Sequence, residues 1–214
     1  MIKRVVGLYF SPMGRTAKIT RLLAQEITDK INEECPIPVS WKCMDINNED
    51  AKNLIFDKET VVIIGMPVHV GKIPLHGLKA IKKICGNGTM TIALVSYGTK
   101  SYGNALYELQ HFSEEQGFKV VGACAFPTTE KGKMSRAYLR ELNEVKAFVD
   151  ASSNKLKRLS GCSIEGLRVK PAPLHIDGNL PVHKISRVFP KAAEVAQRLF
   201  EKFSNHEGEA EWFL

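Results

Sequence analysis

Apolar runs of strand length alternate with helix-periodic segments from the third residue onward, and this alternation constrains the fold more than any other feature. Residues 3–10 (KRVVGLYF) form a β-branched run with the character of a strand buried on both faces. Residues 15–31 follow, with Ile19, Leu22, Leu23, Ile27 and Ile31 near helical spacing. Further strands are predicted at 38–44 (PVSWKCM, alternating, near an edge), 60–66 (TVVIIGM, the most central), 89–97 (TMTIALVSY) and 118–126. Helices are predicted at 75–85, at 102–116 with Gly117 at the C′ position, and at 135–149 with Leu139, Leu142, Val145 and Val149 on one side. Right-handed crossovers leave few ways to connect such a series. The prediction is an α/β fold: a doubly wound five-stranded parallel sheet of order 2-1-3-4-5.

A chain of 214 residues buries about 70% of its unfolded surface, enough for one domain of residues 1–150 and a C-terminal extension of residues 151–214. In the extension, Ser152, Ser153, Ser160, Gly161, Ser163 and Gly166 read as loose connection, and Pro171-Ala172-Pro173 and Gly178-Asn179-Leu180-Pro181 as irregular chain. An amphipathic helix over 190–203, carrying Val195, Leu199 and Phe203, is expected to pack on the core. The tail 206–214 lacks periodicity, with Trp212, Phe213 and Leu214 available to dock.

Several function classes are disfavoured. The five cysteines (Cys35, Cys43, Cys85, Cys124 and Cys162) are odd in number and contain no C-x-x-C. They read as single buried thiols rather than a disulfide framework, zinc knuckle or iron–sulfur site, and no close His/carboxylate cluster suggests a metal. The formal net charge of +7 comes from scattered Lys and Arg, with no zinc finger or RNP-type aromatic motif to read nucleic acid. That charge fits acidic protein partners or simple solubility. No apolar run approaches the roughly 20 residues of a membrane span, and the first apolar stretch is too short for a signal peptide. The expectation is a soluble, cytoplasmic protein.

In an open parallel sheet, ligands bind outside the carboxyl ends of the strands where the strand order reverses. That rule selects three loops. The first, Ser11-Pro12-Met13-Gly14-Arg15-Thr16-Ala17, joins a strand to a helix N-terminus, whose free N–H groups and dipole suit an anion. Ser11 and Thr16 add hydroxyls there; alternatively the loop is a tight turn with Thr16 helping to cap the helix. Neither G-x-x-x-x-G-K-[ST] nor G-x-G-x-x-G occurs after the first strand, so a single phosphate is favoured over a triphosphate or dinucleotide. In the second loop, Pro67-Val68-His69-Val70-Gly71-Lys72 offers a flat ring and an apolar wall. The third, Ser96-Tyr97-Gly98-Thr99-Lys100-Ser101-Tyr102, has two tyrosines that either stack on an aromatic ligand or pack as amphipathic core residues. One loop therefore suits a phosphate and two suit a flat heteroaromatic.

With those motifs in place, the sequence resembles the flavodoxin-like family, specifically the flavodoxin domain of flavodoxin–ferredoxin fusion proteins. Tyr9-Phe10-Ser11-Pro12-Met13-Gly14-Arg15-Thr16 stands where such proteins carry a strand followed by S-P-T-G-x-T. Gly65-Met66-Pro67-Val68-His69-Val70-Gly71-Lys72-Ile73-Pro74 matches G-x-P-V-Y-x-G-[RK]-x-P, and Tyr97-Gly98-Thr99-Lys100-Ser101-Tyr102-Gly103-Asn104-Ala105-Leu106 matches Y-G-N-R-x-Y-[DE]-[DN]-A-L. The resemblance implies bound FMN. Ser11 and the backbone from Pro12 to Ala17 would hold its phosphate. Pro67, Val68, His69, Val70, Gly71 and Lys72 would cover one side of the ring system. Ser96, Tyr97, Gly98 and Tyr102 would border the other side or the pyrimidine edge. No catalytic protein residue is implied, because the flavin carries the electron chemistry; Lys72 or Lys100 would raise its potential.

Three departures from the family pattern matter. Met13 replaces a hydroxyl residue, with Arg15 either compensating or facing water. His69 replaces an aromatic residue. The ferredoxin module is missing, since only Cys162 follows the fifth strand. The expected function is an FMN-binding electron-transfer protein or small FMN-dependent oxidoreductase that passes electrons to a separate redox partner, such as an acidic ferredoxin or a reductase. An NAD(P)H:quinone-type flavin reductase, which often builds its site at a dimer interface, is one alternative. A flavodoxin-fold binding module without cofactor is the other, and a homodimer is left open.

Overall fold

The computed structural model describes residues 1–51, 53–98, 101–128, 143–161, 171–178 and 211–214. Its strands are β1 (Arg4–Tyr9), β2 (Ser40–Asp45), β3 (Thr60–Pro67), β4 (Met90–Tyr97), β5 (Lys119–Pro127) and β6 (Glu211–Phe213). Its helices are α1 (Arg15–Asn32), α2 (Leu75–Ile81), α3 (Ala105–Glu115) and α4 (Asn143–Ser160). Among the described residues the strands form one sheet of order β2-β1-β3-β4-β5-β6. The first five are parallel, with Arg4 opposite both Ser40 and Thr60, Val61 opposite Met90, and Met90 opposite Lys119. The doubly wound order 2-1-3-4-5 is the one the alternating pattern predicts. To it β6 adds a short antiparallel edge, with Cys124 opposite Trp212.

Every residue of β3 except Pro67 is buried, because its two faces belong to two cores. On one side Val61 and Ile63 join Val5, Ile92, Leu94 and Phe126 beneath α1 and α4. On the other, Val62, Ile64 and Met66 join Leu8, Ala93 and Val95 beneath α2 and α3. Strand side chains alternate between faces, so a continuous apolar run requires a helical layer on each side. The helix α3 ends in a Schellman motif: the Gly117 N–H donates to the Glu114 carbonyl (2.9 Å) and the Phe118 N–H to the Ser113 carbonyl (3.2 Å), with Gly117 at φ 81°. No helix among the described residues is long and apolar enough to cross a membrane.

The structure corrects two expectations. The segment after Asp150 is not loose connection: α4 continues to Ser160, through the expected boundary between residues 150 and 151. Its Ser152, Ser153 and Ser160 are buried. The Ser153 hydroxyl donates to the Val149 carbonyl (2.7 Å) and that of Ser160 to the Lys157 carbonyl (3.0 Å), so these two satisfy their own polar groups within a buried helix face, while the Ser152 hydroxyl has no partner among the described residues. Second, Cys35 is disulfide-bonded and Cys85 is exposed, so the cysteines are not uniformly single buried thiols. The aperiodic tail does dock, its Glu211–Phe213 pairing with β5 as β6. The predicted helix over 190–203, Cys162, and most of Gly178-Asn179-Leu180-Pro181 lie outside the described residues.

The tail packs on both cores, Phe213 on one and Leu214 on the other, and an aromatic chain joins Trp212 to the interior. Phe148 of α4 is fully buried, edge-on to Phe126 at 6.3 Å and tilted against Trp212 at 6.3 Å. Phe148→Ala is expected to destabilise the fold by about 3–5 kcal/mol. Ile55→Ala, at a site 74% exposed, is expected to cost less than about 0.5 kcal/mol. Urea denaturation of the two variants against the parent checks the contrast.

Candidate functional site

The strand order reverses between β1 and β3, and the three loops selected by the sequence leave the sheet at that point. The first begins at Ser11. Gly14 sits in the left-handed region (φ 73°) as the residue preceding α1, and its N–H closes a turn onto the Ser11 carbonyl (3.1 Å). The Ser11 hydroxyl accepts from the Ala17 N–H at 3.0 Å. Among the described residues none accepts from the N–H groups of Met13, Arg15 or Thr16. The N-cap Gly14 has no side chain to cap the 18-residue helix, and its first turn holds no acid, so beyond the Ser11 bond to Ala17 those three donors and the dipole stand uncompensated.

Thr16 does not cap the helix. It is buried, and its Oγ1 lies 2.7 Å from Oγ of Ser96 at the end of β4. That hydroxyl pair pins the anion loop to the third loop. Arg15 is half-buried and turns back toward β4: its Nη1 lies 3.9 Å from where a Cβ at Gly98 would be. Pro12 and Met13 are exposed, Met13 by 80%.

The second loop is a tight hairpin. The His69 N–H donates to the Lys72 carbonyl (2.8 Å) and the Lys72 N–H to the His69 carbonyl (3.1 Å), around Val70 (φ 60°) and Gly71 (φ 67°). Positive φ at both central residues is the geometry of a type I′ turn. A valine there is strained, and its side chain is 44% exposed. Three bonds fix this hairpin to the rest of the site. The Val68 N–H donates to the Ser96 carbonyl (2.8 Å), the Asn104 N–H to the Gly71 carbonyl (2.9 Å), and the Ile73 N–H to Oε2 of Glu108 (2.9 Å). Gly71 and Gly103 approach so closely that a Cβ at Gly103 would lie 2.6 Å from the Gly71 oxygen, which leaves glycine as the residue that fits there.

The third loop departs from its aromatic-wall reading. Tyr97 is 1% exposed and Tyr102 7%, both within the core, their ring centroids 5.7 Å apart. Of the two readings, the amphipathic-packing one describes them. Tyr97 also anchors the end of β5, its carbonyl accepting from both the N–H (2.6 Å) and the hydroxyl (2.9 Å) of Thr128. Thr99 and Lys100 lie outside the described residues.

The structure therefore brings together Ser11–Ala17, Pro67–Lys72 and Ser96–Gly98, with Tyr97 and Tyr102 behind the site. Sequence reasoning missed Glu108. It lies on the apolar face of α3 with Ala105, Leu109 and Phe112, at i, i+3, i+4 and i+7, and is fully buried. An acid within such a stripe was the available signal. Burial pushes its carboxyl up to about 7, only partly offset by the Ile73 N–H and the nearby Lys72 charge.

No family model matches the chain, and no curated protein matches it. Solved structures do. The apo form of an NADH:FMN oxidoreductase (EmoB) superposes with a TM-score of 0.53 at 12% identity, covering 79% of this chain and 92% of that one. Oxidised flavodoxin 1 from Bacillus cereus gives a TM-score of 0.50 at 20% identity, covering 72% of this chain and 96% of that one. The strand order, the switch-point loops and these likenesses define a flavodoxin-like fold.

A buried carboxyl raised above its unfolded value makes stability greatest below the unfolded pKa of 4.5. Stability then falls as pH rises toward about 7, by at most about 1.4 kcal/mol per pH unit. Glu108→Gln keeps an acceptor for the Ile73 N–H and is expected to remove this contribution. Denaturation midpoints of parent and variant between pH 4.5 and 8 should diverge by that slope.

Proposed function

We propose that the protein binds FMN at the β1/β3 switch point and works as an electron carrier or small flavin oxidoreductase with a separate protein partner. The observation that supports this most is the first turn of α1. The N–H groups of Arg15 and Thr16 there, and that of Met13 just before it, have no acceptor among the described residues, the turn contains no acid, and the half-buried Arg15 lies near Gly98. Such a donor set fits a phosphate monoester. The hairpin His69–Lys72 meets the other end of the fit, a rigid, partly apolar wall beside that anion loop.

On this reading Ser11, Gly14 and the N–H groups of Met13, Arg15 and Thr16 would hold the phosphate, and the hairpin with Gly98 would flank the ring system. Bound FMN would supply the electron chemistry. The chain's own work is positional. The Thr16–Ser96 pair fixes the anion loop against β4, Tyr97 and Tyr102 stiffen the floor, and the hairpin excludes water from one side. Lys72 and Arg15 place positive charge around the site, which favours electron gain there.

The partner follows from the same charges. Residues 11–18 and 67–76 carry Arg15, Lys18 and Lys72 and no acid, and the rim also exposes Met13, Val70 and Leu75. An acidic protein surface with an apolar centre, such as that of an acidic ferredoxin, fits this edge.

Titration of apoprotein with FMN, read by quenching of flavin fluorescence, is expected to give micromolar or tighter affinity, about −8 kcal/mol or better. Ser11→Ala should weaken it about tenfold, for the loss of one hydrogen bond to a charged group. Folded protein without saturable binding would overturn the reading. Stoichiometric NAD(P)H oxidation with a quinone acceptor would instead place the loaded protein among flavin reductases.

A further inference from the structure

The surface that continues from the hairpin down α2 takes no part in the anion loop. Residues 67–88 contain Lys72, Lys79, Lys82 and Lys83, with His69 and His76, and no Asp or Glu. This one segment therefore supplies +4 of the chain's formal net charge of +7. Lys79, Lys82, Lys83 and both histidines are exposed, and Lys72 is half-buried. Among the described residues none of these four lysines forms an ion pair. Elsewhere Lys3 pairs with Glu59, Arg4 with Asp57, Lys30 with Asp150 and Lys157 with Glu34.

Local structure sets these charges in a band. The strand β3 ends at Pro67, beside the hairpin, and α2 carries the chain back toward the amino end of the sheet. The helix buries Gly77, Leu78, Ala80 and Ile81, so His76, Lys79 and Lys83, at i, i+3 and i+7, share its outer side. Lys82 is the C-cap residue, its ammonium 5.3 Å from the centroid of the Phe112 ring. Val70 and Leu75, 44% and 39% exposed, interleave apolar contact with the cations. At the far end of the band the Lys83 carbonyl accepts from the Asn53 N–H (3.1 Å). Acids re-enter there, since Glu49 and Asp50 form the short turn just before Asn53. On α3, Glu115 already pairs with His111, and Glu114 accepts from Gln110. A helix C-terminus favours lysine by its dipole, but that effect fades within one turn and disfavours a cation at Lys72, ahead of the helix. Helix stability therefore does not account for the whole band.

We propose that Lys79, Lys82 and Lys83, with Leu75 beside them, form a docking surface for the acidic face of a soluble protein, continuous with the rim of the site. The flavin reading above enters only in what that partner meets at the hairpin; the lysine band itself does not depend on it. Unpaired like charges on one surface raise the potential over it and draw an oppositely charged partner. The composition selects a protein rather than a nucleic acid. Residues 67–88 contain no Arg, Phe, Tyr or Trp, so they offer neither a planar fork for phosphate nor a ring for a base to stack on. Exposed lysines act mainly on association rate and salt dependence, which makes the α2 band a steering surface and the hairpin the point of closest approach.

The test uses the full chain, with and without FMN, and an acidic 2Fe–2S ferredoxin as the probe. Binding is followed by calorimetry from about 0.01 M to about 0.15 M ionic strength, over which the screening length falls from about 30 Å to about 8 Å. The parent should bind the ferredoxin and weaken steeply with salt. The combined Lys79→Gln, Lys82→Gln and Lys83→Gln variant should lose about tenfold in affinity at low salt, the scale of three exposed charge pairs, and show a flatter salt dependence. Its FMN affinity should equal the parent's. A second variant, combining Lys30→Gln, Lys146→Gln and Lys155→Gln, removes the same charge from α1 and α4 on the opposite face of the sheet and should bind the ferredoxin nearly as the parent does. Absence of ferredoxin binding at low salt overturns the proposal, as does parent-like binding by the α2 variant or an equal loss in both variants. Tighter, lysine-dependent binding to a DNA duplex or to phosphatidylserine vesicles than to the ferredoxin also overturns it. If FMN fails to bind while the apoprotein holds the ferredoxin through the α2 lysines, the cofactor reading fails and the docking surface stands; the reverse pattern leaves the cofactor reading and removes the docking surface.

Discussion

A parallel sheet with apolar residues on both faces cannot be left half-covered, and the rest of this structure follows from that requirement. The strand β3 sends Val61 and Ile63 to one face and Val62, Ile64 and Met66 to the other. Helices must therefore lie on both sides, α1 and α4 on one and α2 and α3 on the other. Each crossover returns the chain to the same end of the sheet before the next strand. The functional loops consequently emerge together at the opposite, carboxyl end, where the order reverses between β1 and β3.

What turns three neighbouring loops into one site is a small set of polar contacts. The Thr16–Ser96 hydroxyl pair joins residues 80 positions apart in a buried setting, where an unpaired hydroxyl is costly. The bonds of Val68 to Ser96 and of Asn104 to Gly71 then fix the hairpin to β4 and α3. Each polar group is satisfied only when the loops are correctly placed, so assembling the site and completing the core are one event. The strained Val70 is held by the same contacts. Backbone strain of this kind persists only where the surroundings over-determine it.

Most of the architecture was legible in the sequence, because strand and helix periods are local signals and the switch-point rule converts strand order into loop positions. The anion loop was legible for the same reason: Gly14 between a strand and a helix is a local cue. Several features were not. The serines of α4 look like linker residues until Phe148 and Leu156 show which face is buried. Tyr97 and Tyr102 look like ligand-stacking rings until the core encloses them. Glu108 was visible only as an acid in an apolar stripe, and its partner Ile73 lies 35 residues away.

By itself the sequence determined the order of elements, the two-faced burial of the central strands and the placement of the loops, since these depend on residue period and on rules of chain connection. It also determined the site's net positive character. Only the tertiary structure decided which hydroxyls remain for a ligand and which are spent on the fold, where Arg15 points, and that the tail closes the β5 edge with Trp212 against Phe148. Those outcomes depend on contacts between residues far apart in the chain. A hydroxyl, a guanidinium or a carboxyl takes its role from the groups that packing brings to it, and no local pattern specifies those groups.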